Sequence, residues 1–214
     1  MGKSDVQIQS QDVPPCRNPN HPKQGSTIKV EPIRQEKDIK LIKRLLADKP
    51  RDLAIFVLGI NTNLRASDLL RISIGHVLHL KPGEQFAIRE KKTGKLRSIT
   101  LNKTVHEAFQ SLLAALDTSY PSAHLFQSQR KGKGGKLSEE YLNMLVKGWC
   151  KEINLRGNYG SHTLRKTFGY IHRTKFHTDI PTLMTIFNHS SQKETLNYLC
   201  IQPDEVQDAY LCEI

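Results

Sequence analysis

The fold class is decided by residues 85–101, which read QFAIREKKTGKLRSITL. Apolar and polar side chains alternate every two residues on both sides of the turn KKTGK, and this period is typical of β-strands. The pattern predicts an antiparallel hairpin with strands at 85–90 and 96–101, in which Gly94 supplies a positive φ at the turn. The rest of the chain has helical periods, so we expect an α+β fold that is mostly helical with one small antiparallel sheet.

Helical or continuous apolar patterns lie on both sides of this hairpin. In chain order they occupy residues 35–46, 53–60, 66–72, 105–116, 139–153, 164–174, 180–187 and 192–200. Ser138 precedes the helix predicted from Glu139, and serine is a residue type that commonly caps a helix N-terminus.

The composition changes at about residue 34. Residues 1–34 hold five of the ten prolines and no helical period, which predicts a flexible proline-rich tail. Residues 35–214 are expected to form one domain, in which 203–214 is a short C-terminal segment that begins at Pro203. A chain of 214 residues is long enough to bury a hydrophobic core in such a domain.

The chain is strongly basic, with 32 Lys and Arg against 21 Asp and Glu and a net charge of +11. This excess favours an acidic partner, above all nucleic acid, and a basic surface kept for solubility is the alternative. No run of about 18 apolar residues is present and the N-terminus lacks the apolar segment of a secretory signal, so we expect no membrane partner. Four scattered cysteines without a CxxC pair fit a reducing cytoplasm.

Five segments carry side chains suited to phosphodiester chemistry. They are NLRASD with Arg65, the hairpin turn with its lysines, SHTLR with His162 and Arg165, NHSS with His189, and LNYL with Tyr198. An arginine fork binds phosphate through parallel donors, a histidine transfers protons, and a phenol becomes a nucleophile where cations stabilise the developing charge. Each has an ordinary alternative, such as a surface pair of Arg65 with Asp68 or a half-buried core position for Tyr198.

Taken together, the order and spacing of these segments resemble the catalytic domain of the tyrosine recombinase, or phage integrase, family. The family pattern is an Arg in a G-x-R-x-x-E/D segment, a hairpin Lys, H-x-x-R, G-H-S/T and then the Tyr nucleophile. Here the segments read INTNLRASD, EKKTGKLR, SHTLRKTF, FNHSS and LNYL, over about residues 35–205. The chain looks like the short single-domain members of the family, such as the fimbrial-switch invertases.

The resemblance implies a role for each site residue. Arg65 and Arg165 would bind the non-bridging oxygens of a scissile phosphate, and His189 would donate a third hydrogen bond to it. His162 would be the general acid/base associated with deprotonation of the nucleophile. Tyr198 would attack phosphorus and form a 3′-phosphotyrosyl link.

The resemblance also implies that a hairpin lysine protonates the leaving 5′-hydroxyl. Lys92 fits that position best, and Lys91 and Lys95 are the alternatives. Because the phosphotyrosyl link conserves bond energy, the implied reaction uses no ATP and no metal. The sequence has no P-loop and no acidic cluster suited to Mg²⁺, so we expect no cofactor.

Further basic residues are candidates for binding the DNA backbone. They are Lys91, Lys95, Arg130, Lys131, Lys133, Lys136 and Lys166. Four of them lie in the glycine-rich segment QSQRKGKGGK at 127–136, where a compact backbone would approach phosphates closely. A flexible solvated loop is the alternative interpretation.

Two features depart from the family pattern. Asn61 and Asn188 stand where the family usually has glycine, at positions expected to need a permissive backbone. Only about 34 residues precede the first segment, whereas family members commonly carry a separate core-binding domain there. The tail, an accessory DNA-binding protein or the basic charge would then complete the grip on double-stranded DNA.

The predicted function is site-specific DNA recombination or integration, in which strands are broken and rejoined through a 3′-phosphotyrosyl intermediate. The resemblance implies a homo-tetramer on DNA at the nucleoid in the cytoplasm. A non-catalytic DNA-binding accessory or regulatory protein on the same scaffold is the alternative, and DNA relaxation of the type IB topoisomerase kind is a third. A nicking assay separates the first two.

Overall fold

The computed structural model describes residues 29–117, 120–128, 135–199 and 211. Within these ranges the chain is mostly helical with one two-stranded antiparallel sheet, as the sequence predicts. The elements in chain order are α1 (Glu36–Leu45), α2 (Pro50–Thr62), α3 (Ala66–Leu69), a 3-10 turn (Ile74–His76), β1 (Gln85–Arg89), β2 (Leu96–Thr100), α4 (Lys103–Ala114), α5 (Glu139–Glu152), α6 (Ser161–Thr174), α7 (Ile180–Phe187) and α8 (Gln192–Leu199).

Helix α2 forms the centre of the main core. Its residues 54–59 are all buried, and it packs against both α4 and α6. A helix that is apolar around most of its circumference is stable only when other elements cover it. Pro50 starts the helix at a position where its missing N–H breaks no hydrogen bond.

The central hairpin has the predicted form. Its register runs from Gln85 opposite Thr100 to Arg89 opposite Leu96, and Gly94 has a φ of 67°. Phe86, Ile88 and Ile99 turn one face of the hairpin toward the core. The hairpin therefore docks on the helices through one face and leaves its tip at the surface.

Several helix boundaries differ from the sequence prediction, and the clearest cases are α3 and α6. The helix predicted at 66–72 ends at Leu69, after which the chain continues through a turn into Ile74–His76. The helix predicted at 164–174 begins at Ser161, because the Thr163 hydroxyl accepts the N–H of Gly160 at 3.0 Å and starts the helix earlier. Ser138 caps α5 as predicted and accepts the N–H of Tyr141 at 3.1 Å.

The packed part of the chain begins before residue 35. Ile33 is fully buried, and its N–H donates to Thr167 Oγ1 at 2.8 Å. Residues 1–28 and all of the 203–214 segment except Leu211 fall outside the described residues, so the predicted tail and C-terminal segment remain predictions.

A smaller second core lies beneath α6, α7 and α8. Its buried residues are Phe168, Leu183, Phe187 and Leu199. This core sits directly under the segment that carries Tyr198, whose ring packs against it. Across the described part of the chain, none of the helices has the length and apolar character needed to cross a membrane.

Candidate active site

Arg65 is presented by a tight turn after the central helix. Helix α2 ends at Thr62, and Asn63 adopts a left-handed conformation (φ 54°, ψ 28°) that redirects the chain. The buried Asn63 amide donates to the carbonyl oxygen of Ile186 at 2.9 Å, which fixes the turn against α7. Arg65 then forms the N-cap of α3, and its side chain is largely buried.

The carboxylate of Glu90 is the partner of Arg65. Arg65 Nη1 donates to Glu90 Oε2 at 2.8 Å, and Thr93 Oγ1 donates to the same oxygen at 2.7 Å. Arg97 Nη1 donates to Oε1 at 3.1 Å. Burial opposes ionisation of this carboxyl, but the three hydrogen bonds outweigh burial and lower the pKa of Glu90 to about 2.

Asp68 anchors the hairpin tip rather than pairing with Arg65. Its buried Oδ1 accepts the backbone N–H of Lys91 at 2.8 Å. Lys91, Lys92 and Lys95 are all exposed, and Lys91 Nζ lies 3.8 Å from a carboxylate oxygen of Glu139. The tip that carries the three lysines is thereby fixed beside α3.

The first turn of α6 carries His162 and Arg165. His162 is exposed at the rim of the site, and one side of its ring is covered by protein. This partial burial lowers the pKa of His162, and the charges of Arg165 and Lys166 lower it further. The ring is therefore neutral at neutral pH and able to accept a proton.

Arg165 is the most deeply buried cation of the site. It is 3% exposed, and its Nη2 donates to the carbonyl oxygen of Phe187 at 3.0 Å. Its Nη1 is buried and has no hydrogen-bond partner among the described residues. Burial lowers the pKa of Arg165 to about 10, so the guanidinium is still protonated at neutral pH.

His189 follows a left-handed turn at the end of α7. Asn188 (φ 55°, ψ 47°) lets the chain reverse there, and the His189 ring stacks on Phe187 with centroids 5.1 Å apart. Nδ1 shares a 3.0 Å hydrogen bond with Thr195 Oγ1, and Nε2 lies 3.8 Å from Glu194 Oε1. The pKa of His189 is lowered, mainly by burial.

Tyr198 lies among these cations on α8. Its ring centroid is 5.0 Å from that of Phe187 and 5.3 Å from that of His189. Arg165 Cζ lies 5.8 Å from the centroid, and Lys166 Nζ lies 5.3 Å from it. The hydroxyl oxygen of Tyr198 is buried, so the phenol sits inside the site rather than at the surface.

The structure places five of the six predicted catalytic residues close enough together for their charges to interact. They are Arg65, His162, Arg165, His189 and Tyr198. After burial, the charge of Arg65 helps to lower the pKa values of Arg165 and of both histidines, so the four groups are within electrostatic reach. Lys92, the sixth, is at the exposed hairpin tip.

The other predicted DNA contacts fall in different places. Three lie outside the described residues, namely Arg130, Lys131 and Lys133. Lys136 is exposed and forms an isolated β-bridge with Gln127. Lys166 is 7% exposed and faces Tyr198, so any phosphate it contacts lies at the site itself. No group of three His, Cys, Asp or Glu side chains in the described ranges could hold a metal ion.

Sequence reasoning missed Glu90 and Arg97. A signal was present, because Glu90 continues the alternation of Phe86 and Ile88 on the buried face of the hairpin. Arg97 has the same relation to Ile99 on the other strand and pairs in register with Ile88. Charged residues at two such positions predict a buried ion pair.

The prediction that Asn61 needs a permissive backbone is wrong. Asn61 lies within α2, and its amide donates to the carbonyl oxygen of Val57 at 2.8 Å. The left-handed residue is Asn63, because the reversal occurs only after the helix has ended. The same expectation for Asn188 is confirmed by its φ of 55°.

Comparison with known proteins identifies the family of the chain. The model of the phage integrase family matches residues 33–205. The chain is 33% identical over 184 residues to the probable integrase/recombinase YoeC of Bacillus subtilis, covering 85% of this chain and 95% of that protein. It is 29% identical over 174 residues to the tyrosine recombinase XerA of Pyrococcus horikoshii, covering 81% of this chain but 58% of XerA.

Solved structures show the same fold. The chain resembles the crystal structure of XerA recombinase with a TM-score of 0.67 and 20% identity, over 86% of this chain and 66% of that one. It resembles the XerH site-specific recombinase bound to its difH substrate after cleavage with a TM-score of 0.68 and 18% identity, over 86% of this chain and 53% of that one. From its sequence match and its fold, the chain belongs to the phage integrase family.

Proposed function

We propose that this chain is a tyrosine-type site-specific recombinase that cuts and rejoins double-stranded DNA through Tyr198. The observation that carries the proposal is the buried Nη1 of Arg165, which has no hydrogen-bond partner among the described residues and lies beside the Tyr198 ring. A buried guanidinium nitrogen without an acceptor is costly, and a phosphate oxygen is the acceptor that its geometry suits best.

In the cleavage step, Tyr198 Oη attacks the scissile phosphorus. The new bond joins Oη to phosphorus, and the bond from phosphorus to the 5′ oxygen breaks. Arg65 and Arg165 stabilise the charge on the non-bridging oxygens, and His189 Nε2 donates a third hydrogen bond. These donors are held in place before DNA binds. They accelerate the reaction because they need no reorganisation when charge develops in the transition state.

Two protons move in this step. The phenol proton passes to the neutral ring of His162, and a proton from Lys92 passes to the leaving 5′ oxygen. Rejoining reverses both transfers when a 5′-hydroxyl from a second strand attacks the phosphotyrosine. The phosphodiester energy is stored in the covalent link throughout.

Double-stranded DNA is the proposed partner, and the +11 charge supports it. The XerH neighbour was crystallised with its difH substrate. We also propose a homo-tetramer on DNA and a cytoplasmic location beside the nucleoid. The chain spans 58% of the length of XerA. We further propose that the N-terminal tail or an accessory DNA-binding protein adds to the grip on DNA.

A nicked suicide substrate tests the proposal. DNA drawn from the sequence flanking the gene would carry a nick beside the cleavage position, so that the cut strand diffuses away and the covalent complex accumulates. We expect a covalent protein–DNA band on a denaturing gel with the wild type and none with Tyr198→Phe.

Tyr210→Phe is the matched control, since it removes the other phenol of the C-terminal region. It should leave the band unchanged. DNA binding on a native gel without any covalent band from the wild type would refute the enzyme and favour a non-catalytic DNA-binding protein.

A further inference from the structure

We propose that Glu90 and Arg97 form a positioning pair, which sets the guanidinium of Arg65 and the end of helix α7 in the geometry that the scissile phosphate requires. This inference rests on the proposed function of the site. The two residues are the first and last of the hairpin segment EKKTGKLR, but the family pattern names only the lysine in that segment.

Glu90 fixes the direction of the Arg65 fork. Its side chain is 4% exposed, and both of its oxygens are used, one by Arg65 and Thr93 and the other by Arg97. A guanidinium has five N–H donors in one plane. A single bond through Nη1 of Arg65 at 2.8 Å therefore orients the plane and leaves other donors for a phosphate.

Arg97 carries the same network to the other side of the site. Its Nη1 donates to Glu90, and its Nη2 donates to the carbonyl oxygen of Ile186 at 3.0 Å. The next carbonyl along the chain, that of Phe187, accepts from Arg165 Nη2 at 3.0 Å. Charge-assisted bonds from both arginines proposed to bind phosphate thus reach neighbouring carbonyls at the end of α7, and the backbone between these carbonyls links the two sets.

The charge of Glu90 argues for positioning rather than for phosphate attraction. A buried carboxylate next to a phosphate site reduces the attraction of that site for an anion. Two partly buried arginines without a carboxylate would attract phosphate more strongly, but their side chains would lack the partner that orients them. The benefit of Glu90 must therefore lie in the geometry it imposes on Arg65 and Arg97.

The test compares the rate of covalent adduct formation on two DNA substrates, one with an ordinary scissile phosphate and one with a neutral methylphosphonate there. On the ordinary phosphate, Glu90→Gln should slow adduct formation by about 10- to 100-fold, which is the value of a charge-assisted hydrogen bond. On the neutral methylphosphonate, the arginines have less charge to stabilise, and the deficit should shrink to about threefold or less. DNA affinity should change little on either substrate.

Glu84→Gln is the matched control, because it makes the same change of charge at an exposed residue just before the same hairpin. It should match the wild type on both substrates. Arg97→Lys keeps the charge but loses the forked guanidinium, so it should show the same substrate-dependent deficit as Glu90→Gln. Arg89→Lys makes the same change at an exposed residue of the hairpin and is the control for this variant. If thermal unfolding shows that Glu90→Gln does not fold, Arg97→Lys decides the question.

Three results would overturn the inference. An equal deficit on both substrates would show that Glu90 supports only the fold. Wild-type rates in Glu90→Gln and Arg97→Lys would show that the pair has no effect on the reaction. Absence of any adduct from the wild type would instead refute the proposed function, and the inference would fall with it.

Discussion

Arg65 and Arg165 come to the candidate site from different elements, the N-cap of α3 and helix α6, and different kinds of partner hold their guanidinium groups. Arg65 donates to the ionised carboxylate of Glu90. Arg165 donates to a backbone carbonyl, that of Phe187, and its other terminal nitrogen has no hydrogen-bond partner among the described residues. The Arg65 side therefore has its own counter-ion, whereas Arg165 keeps one buried donor for the phosphate that we propose it binds.

The two sides also rest on different cores. The hairpin side is built on the main core, to which Phe86, Ile88 and Ile99 belong. The tyrosine side rests on the small core beneath α6, α7 and α8. Arg65 is thus bonded to a carboxylate above the main core, whereas Arg165 lies above the small core and bonds only a carbonyl among the described residues. The following predictions test that contrast, from the largest expected effect to the smallest.

Arg165→Lys should have the largest effect on the reaction. Lysine keeps the charge but cannot bond Phe187 and a phosphate oxygen together, so adduct formation should fall by about 10³-fold. The dissociation constant for DNA, measured on a native gel, should change by about threefold or less, since the contact acts on charge that develops in the transition state. A loss of affinity as large as the loss of rate would contradict the contrast.

Glu90→Gln should lower the free energy of unfolding by about 3 kcal/mol at neutral pH, in proportion to the depressed pKa. The folded pKa is about 2 and the unfolded value 4.5, so the stabilisation is present above pH 4.5 and is lost as the pH falls toward 2. Urea unfolding of both proteins across this range measures the difference. A difference independent of pH would show that the charge of Glu90 is not the source.

Lys92→Ala should slow adduct formation by about 100-fold, the usual value of a general acid. A sulfur in place of the leaving 5′ oxygen departs without protonation, so that substrate should restore the rate. Lys91→Ala and Lys95→Ala are the controls and should need no such rescue. If one of them is rescued instead, the acid is that lysine and the Lys92 prediction is wrong.

Asn63 and Asn188 should respond differently to glycine, although both are left-handed. Asn63→Gly removes a buried hydrogen bond to Ile186 and should cost about 1 kcal/mol of unfolding free energy. Exposed Asn188→Gly keeps the conformation and should change it by only about 0.5 kcal/mol or less. Urea unfolding measures both, and equal costs would show that the bond from Asn63 to Ile186 does not stabilise the fold.

The sequence predicted the hairpin because a two-residue period is a local property of the strands. It also predicted the candidate catalytic residues through the order of their motifs. It could not identify Glu90 as the partner of Arg65, because the residues are far apart in the chain and nearer Asp68 offered a plausible carboxylate. Tertiary packing determines which carboxylate pairs with Arg65, because it places Asp68 against the Lys91 backbone and Glu90 against two arginines.

The turn residues show a different limit. The glycine positions of G-x-R and G-H-S/T fall on Asn63 and Asn188 in this chain, and both residues are left-handed. The expectation at Asn61 counted two residues too far back from Arg65 and reached a position that lies within α2.

The central claim is that Tyr198 is the residue that becomes joined to DNA. The most direct measurement is to trap the covalent complex on a nicked substrate, digest the DNA and the protein, and locate the attached nucleotide by mass spectrometry. The account predicts a 3′-linked nucleotide on Tyr198 and on no other residue. A nucleotide on Tyr210, or a trapped complex that persists in Tyr198→Phe, would contradict it.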